Sequence, residues 1–448
     1  MDLLEEQMKG TRGPVSISTA LQRIAELAEN DPGLVFTSLN HNLTSELLTL
    51  AYKATRKSAA PGVDGVELKT YGENLTENLE GLLDRAKSGR YRAPPVKRVE
   101  IPKGNGKMRP IGIPTAEDKV LQRGVKMVLE PIFEADFKPC SYGFRPGRSL
   151  HGALDALRGT LRDYGGGWVL EADIQGYFDS IPHGVIREAV KRRVRDGVMI
   201  RLIGKWLNAG VMKEGHVEYP EEGTPQGGVI SPLLSNIVLH EVLDAWWYDV
   251  VKPRLKGEAE LIRYADDFVI VFKDEGDARR VHEVLPKRFQ AYGLSLHPEK
   301  TKLIRFIHPW KGKKEENETF DFLGFTHFWG QTRKKGWAVK ATVSKGRFAR
   351  SLKKIEVWCK KNRHAPISKQ HKSLSRKVRG VYNHMGRPGN SIVLGNFYHQ
   401  VKRRWLFWLR RRSNRSKLTW ERVTEWLFNR FPLPPPRIAV RYRSAANP

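Results

Sequence analysis

Leu261-Ile-Arg-Tyr-Ala-Asp266-Asp267-Phe-Val-Ile-Val-Phe272 is an apolar, β-branched run interrupted at its middle by two adjacent carboxylates. Such a run makes a buried strand or hairpin. Two like charges inside it are costly unless a cation neutralises them. Oxygen-only ligands at a strand turn suit Mg²⁺, and Asp is also an ordinary turn residue. By itself the stretch reads either as a metal site or as a tight turn.

At 448 residues the chain exceeds one ordinary core, so two or three domains are expected. A hydrophobic content of 40% with 10% aromatic residues belongs to a folded protein rather than a disordered one. No run of about 18 apolar residues occurs, which argues against a membrane span. The start, Met1-Asp-Leu-Leu-Glu-Glu6, is acidic and lacks a secretory core. Two cysteines, Cys140 and Cys359, are too few for a zinc finger or a disulfide framework. The expectation is a soluble, intracellular, cytoplasmic protein with no membrane partner.

The charge is informative because of where it lies. From Gln331 to Pro448 there are 31 Lys+Arg against 3 Asp+Glu, so nearly all of the formal +29 sits in the last quarter. A solvated basic helix normally carries compensating Glu. Here the acids are almost absent, while Trp337, Trp358, Tyr382, Tyr398, Trp405, Trp408, Trp420 and Trp426 abound. A folded basic domain facing a polyanion is the better reading.

Residues 18–57 read as helices, with Ser18 as a candidate cap and a second apolar repeat from Leu43 to Lys57. Ala59–Gly65 is a loop, and a helix over Tyr71–Ser88 leads to Pro94-Pro95. Two β-type runs around Lys103-Gly-Asn-Gly-Lys107 predict a basic hairpin displaying Lys103 and Arg109, suited to a triphosphate. A helix over Glu117–Pro131 comes next. Arg145 and Arg148, in a Gly/Pro-rich loop, read equally as phosphate contacts or as parts of a rigid connector. Trp168–Asp173 predicts a strand ending at Asp173. Helices are expected over 183–210 and a short hairpin over Val211–Tyr219. Gly223-Thr-Pro-Gln-Gly-Gly228 lets backbone approach a ligand, with Gln226 beside it, and a helix over Leu233–Trp246 follows. Asp277–Tyr292 is an amphipathic helix, Leu294–Ile304 returns to the sheet, and Lys311–Glu318 is a polar surface loop. Beyond Lys340 the pattern is helical as far as Pro432-Leu-Pro-Pro-Pro436.

Asp173, Asp266 and Asp267 lie on two predicted strands. If these are neighbours, the acids converge on one sheet edge and can hold two metal ions for nucleotidyl transfer. Phosphoryl transfer depends mainly on positioning and charge stabilisation. Its parts are clustered acids, a basic triphosphate clamp and a close-approach loop, and all three are present.

Taken together, Asp173-Ile-Gln-Gly-Tyr-Phe-Asp179, Gly223-Thr-Pro-Gln-Gly-Gly, Ser231-Pro and Tyr264-Ala-Asp-Asp267 resemble the reverse transcriptases encoded by bacterial group II introns. The resemblance continues through Ile101-Pro-Lys-Gly, Arg109-Pro, Ser141-Tyr-Gly-Phe-Arg-Pro, His297-Pro-Glu-Lys-Thr and Phe322-Leu-Gly-Phe325, in the family's order, across roughly residues 60–330.

The resemblance implies an α+β right-hand polymerase, fingers and palm with an antiparallel sheet, followed by an α-helical thumb/maturase domain. Residues 1–65 would form a helical extension with a template-contacting loop, 66–330 the fingers and palm, and 331–448 the basic thumb/maturase segment. Asp173, Asp266, Asp267 and the Ile174 carbonyl would hold two Mg²⁺ ions. Lys103, Arg109 and Gln226 would contact the dNTP. Phe178 would exclude a ribose 2′-hydroxyl, or else pack the core. Lys300 would protonate pyrophosphate, or else form a surface ion pair. Phe322, Leu323 and Gly324 would form the primer grip. Arg403, Arg404, Arg410, Arg411 and Arg412 would bind RNA, with an affinity that falls steeply with salt.

The implied partners are the group II intron RNA, an RNA template with its DNA primer, dNTPs and a DNA target. Binding that target would place the protein at the bacterial nucleoid. Many relatives carry a cysteine-bearing endonuclease; no such cluster occurs here, so a nuclease is not expected. The leading expectation is an RNA-directed DNA polymerase that assists splicing of its own intron. A host-recruited free-standing reverse transcriptase for repair or defence, and a non-catalytic splicing factor, remain as alternatives.

Overall fold

The computed structural model describes residues 12–104, 107–213, 216–219, 222–223, 227–309, 318–332, 334–412 and 419–440. The chain divides into two compact units, Met1–Ala153 with Leu170–Leu303, and Leu154–Val169 with Ile304–Pro448. Both mix helices with antiparallel strand pairs.

In the first unit, helices α1 (Arg12–Asn30), α2 (Ser45–Ala54) and α3 (Leu75–Ser88) precede the hairpin β1 (Val96–Gly104) and β2 (Lys107–Ile113). Ser18 lies inside α1, so it is not a cap there. Thr44 instead caps α2, accepting from the Leu47 N–H at 3.2 Å. The long helix α4 (Ala116–Asp136) is capped by Thr115 and is buried along most of its length. It runs through Pro131, where the reading from sequence ended it. Pro removes one backbone bond and not the apolar face, and Ile132 and Phe133 remain fully packed behind it. Most of the helix α5 (Leu150–Asp163) and the first half of β3 (Gly166–Asp173) count with the second unit; the end of β3, then α6 (His183–Lys191) and α7 (Gly197–Leu207), belong to the first. Asp196 caps α7 through the Val198 and Met199 N–H groups, and it also accepts from Leu39 and Asn40. The strands β4 (Val211–Lys213) and β5 (His216–Glu218) extend the first hairpin into a sheet ordered β2-β1-β4-β5.

The helix α8 (Ser231–Leu239) continues into π-helical turns over His240–Ala245 and Trp247–Val251. Then come β6 (Ala259–Tyr264), β7 (Asp267–Phe272), α9 (Glu275–Gln290) and β8 (Lys302–Ile307), giving a sheet ordered β6-β7-β3-β8. Phe268 and Phe272 on β7 are buried. Phe268 stacks on Phe289 of α9 at 5.9 Å, and Phe272 meets Trp247 edge-on at 5.8 Å.

In the second unit, β9 (Phe320–Phe322), β10 (Phe325–Gln331) and β11 (Trp337–Val343) form an antiparallel sheet ordered β11-β10-β9. Three helices follow, α10 (Lys345–Lys361), α11 (Ile367–Met385) and α12 (Ser391–Arg410). Ser344 caps α10 through the Arg347 N–H. Tyr382, Phe397 and Trp405 are fully buried, so these aromatics form the core of a basic unit. Most of the polar loop expected over Lys311–Glu318 lies outside the described residues. No helix among the described residues is long and apolar enough to cross a membrane.

Candidate active site

A two-residue turn, Ala265-Asp266, joins β6 to β7, with Tyr264 opposite Asp267. Ala265 has φ +56°, a left-handed conformation that costs an L residue about 1–2 kcal/mol. Primed hairpin turns require a positive φ at this position. The apolar run therefore folds as a hairpin and presents both carboxylates at its tip.

Buried polar groups fix that tip. Arg263 and Asp244 are fully buried as an ion pair. The Arg263 Nε–H donates to Asp244 Oδ1 at 2.7 Å, and an Nη2–H donates to Oδ2 at 2.5 Å. The Nη1 group donates to the Ala265 carbonyl and to Asn236 Oδ1, both at 3.0 Å. Nη2 also reaches Ser141 Oγ at 2.8 Å. Asn236 donates onward to the Gly143 carbonyl at 2.7 Å. The Gly143 backbone lies against the turn: a Cβ there would overlap the Ala265 nitrogen and stand 3.0 Å from the Tyr264 carbonyl carbon.

Asp173 ends β3, the neighbour of β7 in the sheet. Its carbonyl accepts from the His297 N–H at 2.8 Å, and the Gln175 N–H donates to the Ser295 carbonyl at 2.8 Å. Ile174 pairs with Leu296 in an antiparallel bridge. The segment around His297-Pro-Glu-Lys300 thus braces the end of the strand. Lys300 Nζ donates to Asp173 Oδ2 at 2.6 Å, with the Lys300 side chain 54% exposed. Beyond β3, the buried Tyr177 hydroxyl donates to the Ser235 carbonyl at 2.7 Å. Consecutive residues of α8, Ser235 and Asn236, therefore anchor the two acid-bearing segments.

The Asp267 carboxyl is pushed up to about 7, first by burial and then by the Asp266 and Asp173 charges, with Lys300 and Arg109 opposing. The residue nevertheless keeps open surface. Desolvation is correspondingly milder, and repulsion among the acids is the part that a cation reaching that surface would cancel. Among the described residues no group of three His, Cys, Asp or Glu side chains stands ready to enclose a metal ion. The donor chemistry still fits a hard divalent ion: three carboxylates, no sulfur, and a single half-exposed ammonium supplying counter-charge to Asp173.

Arg109 lies opposite Ile101 in the first hairpin, and its charge reaches Asp267. The backbone of Lys103 belongs to β1, but its side chain lies outside the described residues, as does Gln226. Phe178 is half-buried in the short helix Tyr177–Ser180 and meets Tyr177 edge-on at 5.7 Å. The glycines flanking 224–226 approach the chain's own backbone. A Cβ at Gly223 would stand 2.9 Å from the Phe178 and Asp179 carbonyl oxygens, and one at Gly227 would overlap the Gly112 carbonyl. Arg145 is a connector: buried, it pairs with Glu134 at 2.9 Å and donates to the Lys138 and Ser141 carbonyls. Arg148 is exposed, over the Tyr142 ring at 5.3 Å.

In the second unit, Leu323 and Gly324 form the β9–β10 turn, with φ +52° and +82°. The Gly324 carbonyl accepts from the Ser344 N–H at 3.0 Å. The arginines of the basic segment divide into two groups. Arg403, Arg410 and Arg411 are exposed, with Arg411 over the Phe407 ring at 3.7 Å. Arg404 donates to Gln400 Oε1 at 2.7 Å, and Arg412 donates to the Arg363 and Ala365 carbonyls.

Sequence reasoning missed Arg263, Asp244, Asn236, Ser141 and Gly143 as parts of the site. The available signal was the arginine itself: a cation in the middle of a buried strand requires a buried partner.

Residues 101–327 match the family model described as reverse transcriptase (RNA-dependent DNA polymerase). Protein YkfC of Escherichia coli is 39% identical over 289 residues, 57% of this chain and 76% of that protein. The group II intron-encoded protein LtrA of Lactococcus lactis is 37% identical over 225 residues, 50% of this chain but 37% of LtrA. Nuclear intron maturase 2 of Arabidopsis thaliana is 27% identical over 231 residues, 43% of this chain and 30% of that protein. As a family, reverse transcriptases use divalent metal ions. The chain belongs to the reverse transcriptase (RNA-dependent DNA polymerase) family.

Proposed function

We propose that the protein is the reverse transcriptase of a group II intron, copying RNA into DNA and binding its intron RNA to assist splicing and mobility. The observation that carries this reading is the Asp266–Asp267 turn at the head of β7, beside Asp173 at the end of the neighbouring strand, with the three charges interacting. The names of the LtrA and maturase relatives support the intron setting.

On this reading residues 66–330 form the fingers and palm, and 331–448 a thumb/maturase segment. Residues 1–65 contribute a template-facing extension. Asp173, Asp266 and Asp267, with the Ile174 carbonyl, hold two Mg²⁺ ions. When bound, such ions activate the primer hydroxyl and stabilise the leaving pyrophosphate. Lys300, paired with Asp173 at 2.6 Å, would be the group that gives a proton to the leaving pyrophosphate. Arg109, with Lys103 on the same hairpin, grips the dNTP phosphates, and Gln226 packs on the nucleotide. Phe178 serves as the gate that excludes a ribose 2′-hydroxyl. Phe322, Leu323 and Gly324 steady the primer end. Exposed Arg403, Arg410 and Arg411 meet RNA phosphates, and Arg404 and Arg412 shape that surface. A DNA target, and with it the nucleoid, follows from mobility.

The test is primer extension on an RNA template with Mg²⁺ and dNTPs, comparing wild type with Asp266→Ala. The variant should lose more than about a thousand-fold in rate, on the order of 4 kcal/mol of transition-state stabilisation. Extension by the variant at the wild-type rate would remove Asp266 from the metal site. If neither protein extends a primer while both bind RNA tightly, the splicing-factor reading replaces this one.

A further inference from the structure

We infer that Arg263 is a positioning residue for catalysis: its guanidinium, neutralised by Asp244, holds the Ala265 carbonyl and thereby sets where Asp266 and Asp267 stand. The proposal rests on the reading of those carboxylates as metal ligands.

The geometry separates this role from ordinary core packing. All three guanidinium nitrogens are engaged, by two carboxylate oxygens, an amide oxygen, a hydroxyl and the turn carbonyl. Asp244 by itself would satisfy a buried arginine electrostatically. The bonds to Ala265, Asn236 and Ser141 do something further, tying the turn to α8 and to the Ser141–Gly143 segment. The backbone repeats the tie on the other side, with the Arg263 N–H donating to the Cys140 carbonyl at 2.8 Å and the Tyr142 N–H donating to the Arg263 carbonyl at 2.9 Å. Ala265 at φ +56° persists only where its surroundings over-determine it. Arginine suits this place because its rigid planar fork serves several acceptors in fixed directions, which a lysine ammonium does not. Asp244 reaches the guanidinium from a π-helical turn, the kind of helix irregularity that recurs at functional sites.

A buried ion pair contributes little to stability compared with apolar residues of similar volume, whereas removing one partner strands the other charge. The informative variant therefore removes both charges together. Arg263→Met/Asp244→Leu is compared with wild type and with Asp266→Ala, in the full chain. Three quantities are read: the thermal midpoint, Mn²⁺ affinity by paramagnetic titration without nucleotide, and kcat and KM for dNTP in primer extension.

The double variant should stay folded, with KM for dNTP changed less than about three-fold. Its kcat and Mn²⁺ affinity should each fall about ten- to a hundred-fold, the range for residues that orient metal ligands. A folded double variant with wild-type kcat and Mn²⁺ affinity overturns the proposal. Should that variant not fold, Asn236→Ala keeps the ion pair but removes one acceptor of Arg263 and the bond to Gly143. It leaves buried groups unpaired and so lowers the thermal midpoint, but at temperatures where it is fully folded it should lower kcat several-fold, and an unchanged kcat there overturns the proposal. Wild-type Mn²⁺ affinity and extension in Asp266→Ala would sink the reading of the carboxylates, and this proposal with it. Losses in Asp266→Ala beside a wild-type kcat in the Arg263 variant overturn only the positioning role.

Discussion

Two two-residue hairpin turns, one in each unit, both hold a non-glycine residue at positive φ, Leu323 at +52° and Ala265 at +56°, and differ in what accompanies it. Leu323-Gly324 between β9 and β10 carries its own glycine at φ +82°, so part of the turn adopts its shape without steric cost. Ala265-Asp266 between β6 and β7 contains no glycine. The glycine it needs is supplied from elsewhere in the sequence, as Gly143, whose bare backbone admits the turn from outside. A buried guanidinium then fastens the turn carbonyl. The first turn is locally encoded, and the second is imposed by its surroundings. A site that displays two carboxylates gains from the second arrangement: surroundings that bond the turn carbonyl and crowd its backbone hold Asp266 in place whichever small residue stands at 265.

The comparison breaks most visibly at Gly143. In Gly143→Ala the new methyl meets the backbone of Tyr264 and Ala265, so either the turn or the Ser141–Gly143 segment must shift. Primer extension should fall by about ten-fold or more, on the scale found when oriented ligands lose their support. Extension at the wild-type rate would show that the turn holds its place without this close approach. Gly324→Ala should act differently. The nearest atoms to a Cβ there are the Arg347 side-chain carbons, at 3.4 Å and beyond, so the space is adequate and the positive φ alone is strained. Thermal unfolding should report a loss of about 1–2 kcal/mol, with extension well below the midpoint lowered only a few-fold, because the turn that steadies the primer end is strained and not removed. A collapse of extension without loss of stability would mean that the primer end needs the bare glycine backbone itself and not only the shape of the turn.

What could be read from the sequence follows the same division. Local encoding was legible: the hairpin around Lys103-Gly-Asn-Gly-Lys107, the strand ending at Asp173 and the strand or hairpin across Asp266-Asp267 all carry alternation or turn chemistry in their own residues. The family was legible too, because its motifs sit at short, ordered spacings, and the match over residues 101–327 agrees with it. Features set by distant partners were not. Nothing near Arg145 announces Glu134 as its partner, and so its loop read equally as a phosphate contact. Nothing near Gly223 or Gly227 says that the approaching group is the backbone at Asp179 or Gly112 rather than a ligand. Phe320–Thr326 reads as a short strand or turn, which covers β9 and the start of β10, whereas β11 alternates weakly and overlaps the stretch beyond Lys340 that reads as helix. The extension of α4 past Pro131 depends on the burial of Ile132 and Phe133, a tertiary fact.

The smallest expected effect is the most discriminating. If the turn at Ala265 is imposed from outside, replacing that alanine by glycine should change little. Relief of the left-handed strain favours the variant by about 1–2 kcal/mol. The extra freedom of glycine in the unfolded chain opposes it by about 0.5–1 kcal/mol, and loss of a buried methyl opposes it by a further ~0.8 kcal/mol. These contributions nearly cancel, so Ala265→Gly should unfold within about 1 kcal/mol of wild type, and extension should stay within about three-fold. The Arg263 bond goes to the carbonyl of residue 265, which glycine retains, and Gly143 has lost none of its room. A large loss of extension in this variant, with stability intact, would show that the alanine methyl itself restrains the tip and that the surroundings do not. The contrast between the two turns would then reduce to a difference in side chains, with α8 and the Ser141–Gly143 segment as packing alone.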